Sequence, residues 1–228
     1  MWQSKYLLSV VFLFLAQSCE VTPQNAGTYQ TLKNNIVLKQ QQWREQYQKA
    51  AQPQKDSLLK VARAYLFQKI TEDMFSAWYG TPWDFNGITQ VPREGTIACG
   101  YFVTTVLRDA GFNIPRVKWA QLASEGVILK VCSDIKRFRN TAVEDAEAWI
   151  KAKEDGLYIV GLDCHVGFIM KKGNDISFVH SNYYHRETGV MKEPLKGRNP
   201  LNDSKYRVIG KLLDDEMVRN WVMGVRME

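Results

Sequence analysis

The sequence predicts an α+β fold in which one helix packs on an antiparallel sheet, and two patterns lead to this class. From Cys99 onward, apolar residues recur at spacings of three and four until Gly111, which is typical of a helix lying on a core. Later in the chain, short apolar and β-branched runs alternate with turn residues, which is typical of strands joined by hairpins. The predicted strands are residues 157–162, 165–170, 176–182, 189–191 and 206–212.

The composition is that of one globular domain. With 228 residues, of which 45% are hydrophobic and 12% aromatic, the chain can bury one sizeable core. The net charge of +6 comes without a run of Lys or Arg, which argues against nucleic acid as a partner. This mild charge suits an anionic surface such as a cell wall or a lipid layer. The basic segment 134–140 is expected to be a solvated face, and we expect a monomer.

Residues 1–18 are predicted to be a signal peptide rather than part of the fold. A positive residue precedes the apolar run 7–16, which is too short to span a bilayer as a helix, and small residues lead to Cys19. The pattern resembles a bacterial lipoprotein signal, although Gln17 stands where a small residue is more usual. It implies lipidation of Cys19 and a membrane-anchored protein of the cell envelope, on the periplasmic or outer-membrane side of a Gram-negative cell. The alternative is an ordinary secretory signal cleaved near Ser18.

Residues 19–78 are predicted to form a tether followed by two helices. The first helix spans residues 29–51 and is broken by Pro53, and the second is capped by Asp56 and runs to Trp78. This preface is either a spacer between membrane and domain or a cap over one end of the functional site. The sequence leaves both roles open.

Cys99 is a candidate nucleophile because it stands in the first turn of a predicted helix. There the unpaired backbone N–H groups and the positive end of the helix dipole favour a thiolate. Thr96, or a neighbour in the turn, is expected to cap the helix. The competing interpretation is a small buried apolar residue, since free cysteines are among the most buried residues.

Two of the three histidines, His165 and His180, fall on neighbouring strands of the predicted hairpin. Cross-strand side chains are close enough for one to orient the other. In a Cys–His–His set, Cys99 would attack a carbonyl, His165 would take its proton, and His180 would fix the tautomer of His165. Asn182 is the alternative third residue, because it faces the same side of the strand. The same Cys and His residues could bind zinc, but no paired ligand spacing favours that.

Four segments in combination resemble the NlpC-type cell-wall peptidases, a papain-like cysteine peptidase family. The family pattern is a GTPY turn, a DCSGF box that opens a helix, an HVGIY strand, and a following strand that ends in F-[IV]-H. The corresponding segments in this chain are Gly80-Thr81-Pro82-Trp83, Ala98-Cys99-Gly100-Tyr101-Phe102-Val103, His165-Val166-Gly167-Phe168-Ile169 and Phe178-Val179-His180.

The resemblance implies a papain-like domain over residues 79–228, with the cysteine helix packed on an antiparallel sheet that carries the histidines. It implies that Cys99 is the nucleophile, His165 the base and His180 the orienting residue. The implied reaction is amide hydrolysis in the stem peptides of peptidoglycan, often between a D-γ-glutamyl residue and a diamino acid. The resemblance implies neither a metal nor a cofactor.

Three departures from the family pattern bear on specificity. Ala98 and Gly100 replace the acid and the serine that flank the nucleophile in the family, where the acid helps hold the free amino end of a short stem peptide. Trp83 replaces the tyrosine of the turn. Trp83 or Tyr79 is therefore expected to serve as an oxyanion donor or as a groove residue.

Two further cysteines have no motif of their own. Cys164 directly precedes His165 on a predicted strand, so it is expected to point to the opposite face and into the core. In an exported protein, Cys132 could pair with Cys164, although two leftover cysteines are weak evidence for a disulfide.

Two other functions stay open at this point. One is a related cysteine amidase or acyltransferase that acts on another amide or on a lipid. The other is a non-catalytic binding lipoprotein with the same fold, which predicts that Cys99 is buried or that the cleft is blocked.

Overall fold

The computed structural model describes residues 24–228, with side chains from Gly27 onward. The predicted signal peptide 1–18 and Cys19 lie outside this range. The fold is a mixed α+β arrangement of helices and a six-stranded antiparallel sheet, so the predicted class is confirmed. No helix within residues 24–228 is both long enough and apolar enough to cross a membrane.

The elements follow the chain in a simple order. Two long helices come first, the central part contains shorter helices, and most of the sheet comes last. A π-helical turn, Lys69–Met74, joins the second and third helices. The helices are α1 (Gln24–Lys49), α2 (Gln52–Gln68), α3 (Phe75–Trp78), α4 (Cys99–Asp109), α5 (Arg116–Ala120), α6 (Ser124–Val131), α7 (Val143–Lys151), α8 (Pro200–Asp203) and α9 (Asp215–Met223). The strands are β1 (Ile135–Arg139), β2 (Gly156–Leu162), β3 (Val166–Lys172), β4 (Asp175–Ser181), β5 (Val190–Pro194) and β6 (Tyr206–Lys211).

The sheet order is β1-β6-β2-β3-β4-β5, and every neighbouring pair is antiparallel. The predicted hairpin is present as β3 and β4, with Phe168 opposite Val179. The last strand, β6, lies between β1 and β2, because successive hairpins fill the opposite side of the sheet and leave the free edge of β2 for it. The basic segment is solvated as expected, since Lys136, Arg137 and Arg139 are exposed, but it also forms the edge strand β1, which was not predicted and in which only Phe138 is buried. The adjacent Lys136 and Arg137 interrupt the apolar alternation that would have indicated a strand.

Alternation along the strands divides the core into two layers, one on each face of the sheet. Leu157 and Ile159 of β2 pack with α4, α6, α9 and the first two helices. The intervening Tyr158 and Val160 pack with α7 and the segment around Leu201. This two-sided burial explains why β2 reads as a continuous apolar run rather than as an alternating one.

Helices α1 and α2 are part of the larger core layer. Tyr29, Ile36 and Trp43 of α1 and Leu66 of α2 are buried there. The Gln40 side chain donates to the carbonyl of Gly111, which ties α1 to the end of α4. The helical preface is therefore packed on the body of the protein.

The cap position of α4 is occupied by Ala98, a neighbour of Thr96 in the turn, and its side chain makes no capping hydrogen bond. The predicted cap of the second helix is wrong. Helix α2 begins at Gln52 with Pro53 in its first turn, where a proline needs no backbone N–H. Asp56 consequently lies inside the helix, where it accepts a hydrogen bond from the Gln52 amide.

Candidate active site

Cys99 is the first residue of α4, and backbone contacts on both sides fix its position. The Ala98 N–H donates to the Gly87 carbonyl, and the Ile97 N–H donates to the Pro82 carbonyl. From the sheet, the Ser181 hydroxyl at the end of β4 donates to the Ile97 carbonyl at 2.7 Å. The segment that leads into α4 is thus held between a loop and the sheet, and the thiol lies where helix and sheet meet.

The Cys99 thiol is half-buried, and its surroundings act on its pKa in opposite directions. Burial raises the pKa of Cys99, while N–H groups of Val166, Gly100 and Cys99 itself contact the sulfur and lower it; burial has the larger effect. The expectation that the helix start would give a ready thiolate is therefore not met by the resting site. The thiol needs a base to remove its proton.

His165 and His180 are joined side chain to side chain. His165 lies directly before β3, His180 lies on β4, and the distance from His165 Nε2 to His180 Nδ1 is 2.8 Å. Both rings are buried. The other ring nitrogen of His165, Nδ1, is buried and has no partner among the described residues, the Cys99 sulfur included. His165 therefore holds one nitrogen free on a cavity that Cys99 also lines.

Gly167 makes the meeting of the two histidines possible. A Cβ at this position would lie 2.8 Å from the Cβ of His180 and 2.6 Å from the ring of Phe178. The Phe178 and His180 rings are stacked, with centroids 3.9 Å apart. The glycine that follows the His-Val pair thus leaves room for the side chain that orients His165.

Glu193 adds a further member to this series of hydrogen bonds, and the sequence did not predict it. Its Oε1 lies 2.6 Å from His180 Nε2. The Asn182 amide donates to the same oxygen at 3.3 Å. Asn182 therefore contacts Glu193, whereas His180 is the residue that contacts His165. The strand predicted at residues 189–191 could have indicated Glu193. When that strand is extended by two residues, Glu193 lies on the same face as Met191, which pairs with His180.

The order of hydrogen bonds fixes the proton on each ring when Glu193 is ionised. A carboxylate accepts only, so His180 carries its proton on Nε2 and its Nδ1 is an acceptor. His165 must then donate from Nε2, which leaves Nδ1 as a lone-pair acceptor. That free nitrogen is the atom a general base needs for the Cys99 proton.

Burial keeps both histidines neutral. It lowers the pKa of His165 well below the usual value, with His180 adding to the effect. It lowers the pKa of His180 to about 3, to which exposed His185 also contributes. Burial raises the pKa of Glu193 to about 7, against an opposing effect of His185. Glu193 is therefore the member of the chain that changes charge near neutral pH.

Cys99 and His165 open onto a cleft of about 520 Å³. Aromatic and aliphatic side chains form most of its walls, with Asn86 and Gln121 as uncharged polar members. A non-catalytic variant of the fold would predict a blocked cleft, and this cleft is open. The apolar wall residues are Trp83, Phe85, Ile88, Tyr101, Leu122 and Tyr183.

Trp83 lies in the cleft because backbone hydrogen bonds join its turn to the loop that follows β4. Its backbone N–H donates to the Arg186 carbonyl, and its ring packs 5.9 Å from that of Tyr183. Gly189 permits this pairing, since it has a φ of +57° and a Cβ there would strike the backbone of Thr81. The Trp83 indole N–H is buried and has no acceptor among the described residues. Tyr79, the other expected groove residue, packs on the core instead of lining the cleft, and burial raises its pKa to about 12.

Cys164 is not a core residue, which corrects the expectation from strand alternation. It lies in the turn between β2 and β3, is exposed, and lines the cleft with its sulfur 3.9 Å from the Tyr183 hydroxyl. The turn breaks the alternation because Asp163 accepts hydrogen bonds from Ser204 and Lys205 there. Cys132 is buried in the core, and both thiols are free, so the suggested disulfide is absent.

Among residues 27–228, no group of three His, Cys, Asp or Glu side chains is arranged to hold a metal ion. The zinc alternative consequently has no support in the geometry. Comparison of the chain with protein-family models, with curated proteins and with solved structures finds no match.

Proposed function

We propose that this protein is an exported, lipid-anchored cysteine amidase of the cell envelope that hydrolyses amide bonds in peptidoglycan stem peptides. One observation carries the catalytic part of the proposal: a free, buried imidazole nitrogen of His165 shares an open cleft with Cys99, and a hydrogen-bonded chain orients its ring. The envelope substrate and the anchor at Cys19 rest on the sequence resemblance alone.

In the first step, His165 Nδ1 takes the Cys99 proton as the sulfur attacks the amide carbonyl. The sulfur contacts the Val166 N–H and has no hydrogen bond to His165 at rest, so this step requires the two side chains to approach when substrate binds. Catalytic hydrogen bonds often form fully only in the substrate complex. The imidazolium then protonates the leaving amine, the C–N bond breaks, and an acyl thioester remains on Cys99.

In the second step, His165 takes a proton from water as the water oxygen attacks the thioester carbon. The C–S bond then breaks, the acid is released, and the imidazolium returns the proton to the Cys99 sulfur. The negative oxygen of each tetrahedral intermediate needs donors that are already in place. The backbone N–H of Cys99, at the start of α4, is one. The indole N–H of Trp83 is the second, because it is buried beside the cleft without an acceptor.

The test is mass spectrometry of purified muropeptides after incubation with the mature protein. The parent is expected to produce a new, shortened stem peptide, and Cys99→Ala is expected to produce none. Cys132→Ala is the matched control, since it removes a thiol outside the cleft. Thermal unfolding of each variant checks that the fold persists.

A thiol-reactive probe separates the two parts of the proposal. Peptide mapping distinguishes label on Cys99 from label on exposed Cys164. Labelling of Cys99 that depends on His165, without cleavage of any muropeptide, would overturn the substrate and keep the enzyme. If neither cleavage nor His165-dependent labelling occurred, a binding role would replace the enzymatic one.

A further inference from the structure

The cleft beside Cys99 contains no charged side chain. Neither Asp, Glu, Lys nor Arg is among the described residues that line it, and its only ionisable nitrogen base, His165, is held neutral by burial. The polar members, Asn86 and Gln121, are amides without charge. A ligand group with a formal charge would lose its hydration in this cleft without gaining an ionic partner.

Two guanidinium groups come near the cleft but do not line it. Arg186 stacks on the ring of Trp83 at 5.0 Å, and Arg116 stacks on the ring of Tyr101 at 4.8 Å. The Arg116 donors are already engaged by the hydroxyl of Thr105 and by the carbonyls of Ile88 and Thr89. Its charge therefore supports the loop that forms one wall and is not presented to a ligand.

The rim of the cleft is unusually apolar for an exposed surface. Phe85 is 78% exposed, Ile88 58% and Leu122 37%. All three border the same cavity as Cys99. Exposed apolar side chains that converge on a concave site favour a ligand that covers them.

From these features we infer that the group bound beside Cys99 is an uncharged, apolar acyl group, which becomes the acyl part of the thioester on Cys99. The inference rests on the proposed function, because it assumes that Cys99 is acylated. The bond formed is between sulfur and the acyl carbon, the bond broken joins that carbon to the leaving amine, and the thiol proton leaves with the amine. In a stem peptide, the bond cut would then have an uncharged residue such as alanine on its acyl side, and not the D-γ-glutamyl residue that the resemblance implies, because the α-carboxylate of that residue is an anion.

The test uses three p-nitrophenyl esters of similar length: the hexanoate, the adipate monoester, which is an anion, and the 6-(trimethylammonio)hexanoate, which is a cation. Acylation of Cys99 is followed by release of p-nitrophenol and by peptide mapping of the intact protein, with Cys99→Ala as the background. The hexanoate is expected to acylate Cys99 at least tenfold faster than either charged ester. Within the neutral series from acetate to hexanoate, each added CH₂ that is buried should raise the rate by up to about fourfold.

A substitution at the rim of the cleft tests whether the absence of charge causes the preference for the neutral ester. Leu122→Lys places a cation at the cleft and should shift the ratio of the adipate rate to the hexanoate rate at least tenfold toward adipate. Leu38→Lys is the matched control, because Leu38 is 56% exposed on α1, away from the cleft, and the ratio should stay as in the parent.

The outcomes separate this inference from the function on which it rests. Equal rates for the three esters, or preference for a charged one, would overturn the inference while Cys99 remained an established nucleophile. Failure of all three esters to acylate Cys99, in a protein that still unfolds cooperatively, would overturn the proposed function itself.

Discussion

At the scale of single residues, the side chains of Glu193, His180, His165 and Cys99 follow one another in the site. The protonation state of each one determines where the next carries its proton or can accept one. Glu193 decides which nitrogen of His180 carries the proton, and His180 decides the same for His165. Protonation of Glu193 reverses the donor and acceptor roles in both of these hydrogen bonds. Glu193 then donates to His180 Nε2, His180 donates to His165 Nε2, and the His165 proton moves to Nδ1. The base that the proposed mechanism requires for the Cys99 proton is then lost.

This reversal predicts an acid limb of activity near pH 7. Because burial raises the pKa of Glu193 to about 7, acylation of Cys99 should fall as the pH falls through that value. One pH unit below it, about one tenth of the plateau rate should remain. Glu193→Gln stays neutral at every pH, so its acid limb should move to the lower pH at which the histidines protonate. Its plateau is expected to be up to about tenfold lower, since the amide can orient His180 either way.

The measurement is the pH profile of p-nitrophenyl hexanoate turnover from pH 5 to 8. Glu187→Gln, on the exposed part of the loop after His185, is the control and should retain the parental profile. A uniformly lower rate in Glu193→Gln, with the acid limb still near pH 7, would mean that Glu193 has only a structural role.

At the scale of elements, the contact between α4 and α5 forms one wall of the cleft. Gly100 allows this contact, because a Cβ there would lie 2.4 Å from the Ala120 carbonyl oxygen. Ala120 and the residues after it line the cavity. The glycine that departs from the NlpC-type pattern is thus explained by the packing of a neighbouring helix.

Gly100→Ser is expected to destabilise the protein by about 2 kcal/mol, because the backbone of α5 must move away to relieve the clash. Gly27→Ser is the matched control, since a Cβ on this exposed glycine of α1 meets nothing within 4 Å. Urea unfolding measures both free energies of unfolding. Equal stability of Gly100→Ser and the parent would show that α5 does not pack on Gly100 as described.

At the scale of the whole molecule, the helical preface and the body share one core. The Trp78 indole donates to the Tyr29 hydroxyl at 2.8 Å, and this hydroxyl donates to Asp109 at the end of α4 at 3.1 Å. The chain of contacts joins α1, α3 and α4 in a buried site. Among residues 27–68 of α1 and α2, none lines the cleft. This part of the preface therefore shares the core of the body and does not cover the site.

Tyr29→Phe should lower the free energy of unfolding by about 1–3 kcal/mol, because it leaves the Trp78 N–H and an Asp109 oxygen buried without their partner. Tyr47→Phe lies on the same helix and should have less effect, since the Tyr47 hydroxyl makes no hydrogen bond with a described residue. Chemical denaturation measures both changes. The shared core would be in doubt if Tyr29→Phe were as stable as Tyr47→Phe.

Local patterns were sufficient to predict much of the fold and part of the candidate site. The helix after Cys99, the β3–β4 hairpin and the α+β class follow from spacing and turn residues, which are properties of neighbouring positions. The same information places His165 and His180 on adjacent strands. It failed at Cys164, where side-chain hydrogen bonds to a distant segment turn the chain out of the strand.

What only the tertiary structure decided are the features made by segments distant in sequence. Three features depend on distant segments coming together in the fold. They are the insertion of β6 between β1 and β2, the place of α1 in the core, and the contact of Glu193 with His180. The same holds for the uncharged cleft, whose walls come from the turn at Trp83, the end of α5 and the loop at Tyr183. A sequence specifies which residues each segment presents, but the electrostatics of a site depend on which segments meet, and that is determined by packing.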